Sequence, residues 1–249
     1  MQFRGKHFSI EINIPTLQAL ESEVRGRLSN GKGFALATMN VDHLVKLGRD
    51  EMFANAYAQH DLVVADGNPV VWVAKLGGDN LELITGSDQV IPLATWARDC
   101  ETKIAFIGST QDALDKAAAR LEQIVPNAKV VAKISPPFGF DPNSEAAGEI
   151  LDQVKASGAR LCFLALGAPK QEVFAARGYR DHPEIGFASV GAGLDFIAGH
   201  QKRAPKWVRV IAMEWLWRMM SNPRRLAKRY LDCAVVLPGH VGSAISQRK

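Results

Sequence analysis

The chain has 249 residues, 47% hydrophobic, 22% charged and 8% aromatic, with a net charge of +4. That profile belongs to a folded globular protein and excludes intrinsic disorder and collagen-like sequence. No apolar run approaches the ~20 residues that a membrane-spanning helix needs, and the length suffices for an α/β body with an appendage.

Residues 1–15 alternate charged and apolar side chains without a continuous hydrophobic segment, so they do not resemble a secretory signal, and a cytoplasmic protein is expected. Leu17, Leu20, Val24 and Leu28 recur at helical spacing and stop at Asn30-Gly31. β-rich or apolar runs follow at 34–38, 62–65, 103–107, 129–134, 161–166 and 187–190, and Ala113, Leu114, Ala117, Ala118 and Leu121 form a second helical stripe before Pro126. Strands alternating with helices predict a mostly parallel sheet covered on both faces. Cys100, Cys162 and Cys233 are odd in number and far apart, against both a disulfide framework and a zinc site.

The charge is unevenly placed. Residues 201–249 hold 11 Lys and Arg against Glu214 and Asp232, which leaves 19 basic and 24 acidic residues in the first 200. Three of the five tryptophans, Trp207, Trp215 and Trp217, lie in the same tail, so a boundary is set near Gly199, with a catalytic body at 1–199 and an appendage at 200–249. From Pro205 the apolar residues fall at helical spacing among Lys206, Arg209 and Arg218, and a second basic segment begins after Asn222-Pro223 with Arg224, Arg225, Lys228 and Arg229. Three readings stand: a helical hairpin packed on the body, a nucleic-acid site, or a lipid interface. The tryptophans and the acidic body favour lipid over nucleic acid, because tryptophan sits at headgroup level and arginine attracts anionic lipid.

In open parallel sheets ligands collect beyond the carboxyl ends of the strands. Four strand ends and one glycine turn therefore matter. Asp66, in Asp66-Gly67-Asn68-Pro69, either caps the helix that Pro69 starts or accepts a proton from a substrate hydroxyl. Gly108-Ser109-Thr110 is either a tight turn with an N-cap or a phosphate cradle, and Gly191-Ala192-Gly193 invites the same question. Neither is a Gly-x-Gly-x-x-Gly fingerprint, and no Walker A motif is present. Lys170-Gln171-Glu172 is either a solvated first helical turn or a polar site for sugar hydroxyls and phosphates. His43 has no second ligand at metal-binding spacing, so a structural or hydrogen-bonding role is expected, and no Asp-x-Asp cluster is there to carry a divalent metal.

Taken together, these motifs resemble the WecG/TagA/CpsF glycosyltransferases, glycosyltransferase family 26, from about residue 34 to residue 230. The resemblance rests on Thr38-Met39-Asn40-Val41-Asp42-His43, Ala65-Asp66-Gly67-Asn68-Pro69, Gly86-Ser87-Asp88, Pro137-Phe138-Gly139-Phe140, Gly167-Ala168-Pro169-Lys170-Gln171-Glu172, Gly191-Ala192-Gly193-Leu194-Asp195-Phe196 and Arg203-Ala204-Pro205-Lys206-Trp207, in that order. It is continued by Glu214-Trp215-Leu216-Trp217-Arg218 and Pro223-Arg224-Arg225-Leu226.

The resemblance implies a Rossmann-like α/β fold and an inverting, metal-independent hexosyltransferase that uses no cofactor. Such an enzyme moves a sugar from a UDP-sugar to a polyprenyl-diphosphate-linked saccharide during cell-surface polysaccharide synthesis. It works at the inner face of the bacterial membrane, with N-acetylmannosamine, its uronic acid and glucose all open as donors and the oligomeric state open as well. Asp66 matches the general base, Thr38, Asn40 and Gln171 match pocket residues, and the tail arginines would be among Arg218, Arg225 and Arg229. Lys170, Gly108, Ser109, Gly191 and Gly193 complete the candidate substrate-binding set. One position departs: the family often carries arginine shortly before Gly-(Ser/Thr)-Asp, and here Leu83 stands in its place. That substitution motivates the alternative, a catalytically impaired relative that binds a nucleotide sugar or acts as a membrane scaffold.

Overall fold

The computed structural model describes residues 1–201, 204–205, 207–208, 212–221 and 223–248, without the side chains of Arg218, Ser221 and Arg225. An antiparallel hairpin of β1 (Gln2–Arg4) and β2 (Ser9–Glu11) opens the chain. Alternating elements follow: α1 (Leu17–Ser29), β3 (Phe34–Met39), α2 (Val41–Leu47), α3 (Glu51–Tyr57), β4 (Leu62–Ala65), α4 (Asn68–Leu76) and α5 (Gly86–Asp99). Next come β5 (Ile104–Gly108), α6 (Gln111–Ile124), β6 (Val130–Ile134), α7 (Glu145–Ala156), β7 (Leu161–Ala165), α8 (Lys170–Asp181), β8 (Gly186–Ser189) and α9 (Gly193–Ala198). The C-terminal part forms α10 (Glu214–Ser221) and α11 (Pro223–Gln247).

Strands β3–β8 make one six-stranded sheet in the order β4-β3-β8-β7-β5-β6, parallel at every pairing. The fold is thus α/β and Rossmann-like. The period-two alternation of strand side chains explains how both faces are filled. Leu36, Val64, Phe106, Phe163 and Ala188 face one way and pack with Leu20, Val24, Leu93, Leu114 and Leu121 of α1, α5 and α6. Ala37, Met39, Val63 and Ala65 face the other way against Leu44, Phe53, Tyr57 and Val73. Farther along that second face, Ile107, Leu164 and Phe187 meet Leu151, Val154 and Phe174 of α7 and α8. Each such side chain contributes ~1.5–3 kcal/mol through burial, which is why the strands read as unbroken apolar runs.

The predicted strands all form, with ends displaced by a residue, and the predicted helices at 17–28 and 113–121 fall inside α1 and α6. The β1–β2 hairpin and the short pair α2 and α3 carried too few apolar repeats to be singled out. In the tail, α10 and α11 pack on each other, with Trp215 and Tyr230 edge to face at 5.8 Å. Helix α11 runs across α2 and α4, burying Leu226 and Ala244 and seating Cys233, Leu237 and Val241 on the second core face. Two ion pairs fix its register, Arg229 Nε to Asp42 Oδ1 at 3.0 Å and Arg49 Nη2 to Asp232 Oδ1 at 2.9 Å. No helix among the described residues is long and apolar enough to cross a membrane.

At the end of β5 the backbone turns with Gly108 at φ 112°, and a Cβ there would lie 2.4 Å from the Ala165 carbonyl oxygen of β7. Gly108→Ala is therefore expected to cost on the order of 2 kcal/mol or more, since both the dihedral and the strand contact must give. Urea unfolding checks this, and an unchanged midpoint would show that the turn relaxes freely.

Candidate active site

The candidate residues gather where β3, β4, β7 and β8 end. Asp66 follows β4 directly, and its amide donates to the Met39 carbonyl at 2.7 Å, carrying the β3–β4 ladder one step past the sheet. Gly67 next to it has φ 101°, and a Cβ there would come within 4.0 Å of Asn40 Cβ, so the turns after β3 and β4 touch. Helix α4 begins at Asn68 with Gly67 as N-cap and no side-chain cap. Asp66 is thus not the N-cap residue of that helix, a position taken by Gly67.

Thr38, buried in β3, faces the start of α5: a Cβ at Gly86 would lie 3.1 Å from Thr38 Oγ1 and 3.1 Å from the Ser189 carbonyl oxygen of β8. Only glycine lets the helix settle that closely. Thr85 caps α5, accepting from the Asp88 amide and donating to Asp88 Oδ2 at 2.7 Å. Asn40 caps α2 in the same way, accepting from the His43 amide at 3.1 Å.

Across the rim, Gly167 (φ 73°) follows β7 and opens on unfilled space. Its amide donates to Gln171 Oε1 at 3.2 Å, while Gln171 Nε2 donates to Glu172 Oε1 at 2.8 Å. Both side chains are buried, Glu172 completely, so the reading of this segment as a solvated helical turn is wrong. Lys170 opens α8 half-buried, and from α2 Lys46 Nζ donates to the Ala168 carbonyl at 3.1 Å while pairing with Asp42 at 2.7 Å. A groove of about 410 Å³ lies between α2 and α11, lined by Asp42, Lys46, Arg49, Pro169, Lys228 and Arg229 among others.

In the glycine turns, several backbone amides are already bonded within the protein. The Ser109 amide donates to the Ala165 carbonyl at 3.1 Å and its hydroxyl donates to Asp195 Oδ1. The Gly191 amide donates to Leu164 and the Gly193 amide to Val190, at 3.2 and 3.0 Å. Thr110, not Ser109, caps α6. Gly193 is a packing glycine, since a Cβ there would lie 2.8 Å from Val90 Cγ2, whereas Gly191 (φ 55°) borders open space. At these three positions the backbone donors are already in use. Arg229 reaches the rim through Asp42, while the Arg218 and Arg225 side chains lie outside the described residues.

A sequence model of the glycosyl transferase WecG/TagA/CpsF family matches residues 6–249. The chain belongs to that family. As a WecG/TagA/CpsF glycosyltransferase it acts in cell-surface polysaccharide biosynthesis, and the sheet rim just described is where such chemistry belongs in this fold.

Sequence reasoning left three residues of this WecG/TagA/CpsF rim unassigned. Tyr57 is a buried aromatic on α3 that no spacing distinguishes from core. His43 was expected to hydrogen-bond, and its Nδ1 lies 3.4 Å from the Tyr57 hydroxyl with Nε2 3.7 Å from Glu172 Oε1. Asp195 emerges as the partner of Ser109 and of Gln201 Nε2 at 2.8 Å. Burial pushes His43 down to about 3 and His60 down to about 4, and it pushes Glu172 up to about 7.

These shifts set a pH dependence of stability. The unfolded histidines take up protons below about 6.5 and the folded ones do not, so the His43 and His60 contributions are complete above that pH. They are lost as the pH falls towards 3 and 4 respectively. Glu172 acts oppositely between 4.5 and about 7, offsetting part of that slope. His43→Gln is expected to flatten the acid limb, shown by denaturation midpoints that fall less between neutral and acid pH than those of the native chain. Parallel limbs would mean that His43 titrates normally.

Proposed function

We propose that this glycosyltransferase moves a hexose, of N-acetylmannosamine, N-acetylmannosaminuronic acid or glucose type, from a UDP-sugar to a polyprenyl-diphosphate-linked saccharide with inversion and without a metal. The observation that carries the reading is Asp66: a carboxylate at the carboxyl edge of the sheet, beside Asn40 and Thr38, that is not needed as a helix cap. Asp66 removes the proton from the acceptor hydroxyl as that oxygen bonds to the anomeric carbon. On the opposite face the bond from that carbon to the UDP oxygen breaks, and UDP leaves with the electron pair. Asn40, Thr38 and Gln171 orient the sugars. Because the Ser109, Gly191 and Gly193 amides are engaged, cationic side chains, Lys170 and the arginines of the appendage, balance the diphosphate.

Residues 200–249 form the appendage in this reading, and they bring the enzyme to the inner face of the membrane. Supporting this are the exposed Trp207, Met220, Leu231 and Val235 beside a surplus of basic residues. One feature favours the second reading, an impaired nucleotide-sugar binder or scaffold. Leu83 is 43% exposed next to Ile84, whose amide donates to Ala65 at the end of β4, so an apolar side chain occupies the rim where relatives place a cation.

Transfer assays with a panel of UDP-sugars and a prenyl-diphosphate-linked acceptor separate the two, since only the first yields product. Asp66→Asn is expected to lower kcat by ~10²–10⁴-fold with donor KM little changed. Near-native turnover would remove Asp66 as the base. Arg224→Gln is expected to weaken partition onto anionic vesicles about fivefold, as ~1 kcal/mol per basic residue requires. Equal sedimentation of both proteins with those vesicles would sink the membrane role.

A further inference from the structure

The turn after β3 and the turn after β7 are linked underneath the rim by a run of buried polar side chains in close approach. Asn40 Oδ1 holds the His43 amide at 3.1 Å, and the His43 ring sits between the Tyr57 hydroxyl and Glu172 Oε1 at 3.4 and 3.7 Å. Glu172 Oε1 accepts from Gln171 Nε2 at 2.8 Å, and Gln171 Oε1 accepts from the Gly167 amide at 3.2 Å. Tyr57 and Glu172 are fully buried and His43 and Gln171 nearly so, in a layer that is otherwise apolar. A buried carboxyl in such a place costs stability unless it does something, and substitution by an apolar side chain of similar size is often neutral or better.

Among the described residues, Glu172 has no cation in hydrogen-bond contact to justify it. Its second oxygen, Oε2, is buried with no hydrogen-bond partner among the described residues. What its first oxygen does is orient an amide. A side-chain amide has two distinguishable ends, and an accepting oxygen at Nε2 leaves Oε1 as the end that faces Gly167.

We propose that Glu172 is a positioning residue: it fixes the orientation of the Gln171 amide, so that Gln171 Oε1 clamps the Gly167 turn, and through His43 it sets that turn relative to Asn40. The assignment of Gln171 and Asn40 to the substrate pocket rests on the function proposed above, whereas the clamp itself does not. The groups facing Glu172 are Asp42, His43 and Lys46 from α2, Tyr57 from α3 and Gln171 on its own helix, with Arg229 of α11 and His60 of α3 acting on His43. Lys46 favours the ionised carboxyl and Asp42 opposes it, but desolvation is the larger influence and keeps the acid form populated up to about neutral pH.

The experiment follows the Gly167 amide by NMR in the full chain without substrate. In the native protein its shift is expected to titrate with a midpoint near neutrality, and in Glu172→Gln, which keeps an accepting oxygen but cannot ionise, to stay constant. Glu172→Leu and Gln171→Ala are expected to speed exchange of that amide by ~5–10-fold, the loss of one buried hydrogen bond, while Glu172→Gln preserves protection. A Gly167 shift that titrates equally in Glu172→Gln, or does not titrate in the native chain, overturns the proposal, even if Glu172→Leu fails to fold. Exchange that is unchanged in a folded Glu172→Leu also overturns it. In the transfer assay Glu172→Leu is expected to raise KM more than it lowers kcat, with rescue by Glu172→Gln. If the NMR arms succeed and no UDP-sugar is turned over, the clamp stands and the proposed function fails.

Discussion

The first turn of α5 rests closely on the ends of β3 and β8, where a side chain at Gly86 would force its neighbours to give way. Thr38 Oγ1 and the Ser189 carbonyl are the surfaces it meets. The same helix presses on α9, where Gly193 admits Val90 and the Ser87 backbone. Asp66 follows from this geometry, because the segment leading into α5 is hung on the end of β4 by the Ile84 amide and the Ala65 carbonyl at 2.8 Å. In the proposed reading, a backbone held at so many points keeps Asp66 and its neighbours within the narrow tolerances that chemistry at an anomeric carbon demands.

Much of this was legible from residue order. Buried parallel strands announce themselves as apolar runs, and the residues just beyond them are where Asp66, Asn40 and Gln171 stand. The order of strands was not legible: β8 inserts between β3 and β7, a long-range pairing that no local pattern encodes. The Gly108 and Gly191 turns looked like anion cradles because glycine signals only that a backbone is unusual. It does not say whether the cause is a ligand or a neighbouring strand, and at Gly108 the cause is the Ala165 carbonyl. Lys170-Gln171-Glu172 reads either as a solvated first turn or as a polar site, because charged side chains near a helix start are usually exposed. The burial of Glu172 arises from α3 packing on α8, which brings Tyr57 close to it, and from α2 packed beside α3, which supplies His43.

The basic tail illustrates how one composition serves two ends. Its charge marks it out from an acidic body, yet α11 is bound to that body by Ala244 and Leu226 in the core and by Arg229 and Arg49 in ion pairs. The Arg49–Asp232 pair is largely exposed and contributes little stability, so the apolar seam holds the helix and the ion pairs choose its register. Leu231 and Val235, left exposed on the same helix, are then available for a lipid surface in the proposed reading. Because Asp42 joins Arg229 to Lys46, and Lys46 reaches the Ala168 carbonyl, a displacement of α11 would be felt at the turn after β7.

Two carboxyl groups serve this rim from opposite environments. Asp66 is half-buried at the carboxyl edge of the sheet, just past β4. Glu172 is sealed among Tyr57, His43 and Gln171, where the charge is costly and the acid persists up to about pH 7. Were both ionised side by side, each would raise the cost of the other. In the proposed reading burial separates their tasks: the half-buried group accepts a proton, and the enclosed one holds an amide in a single orientation. That division follows from which side of the sheet edge each backbone segment leaves, so in the proposed reading the two roles are separated before any ligand arrives.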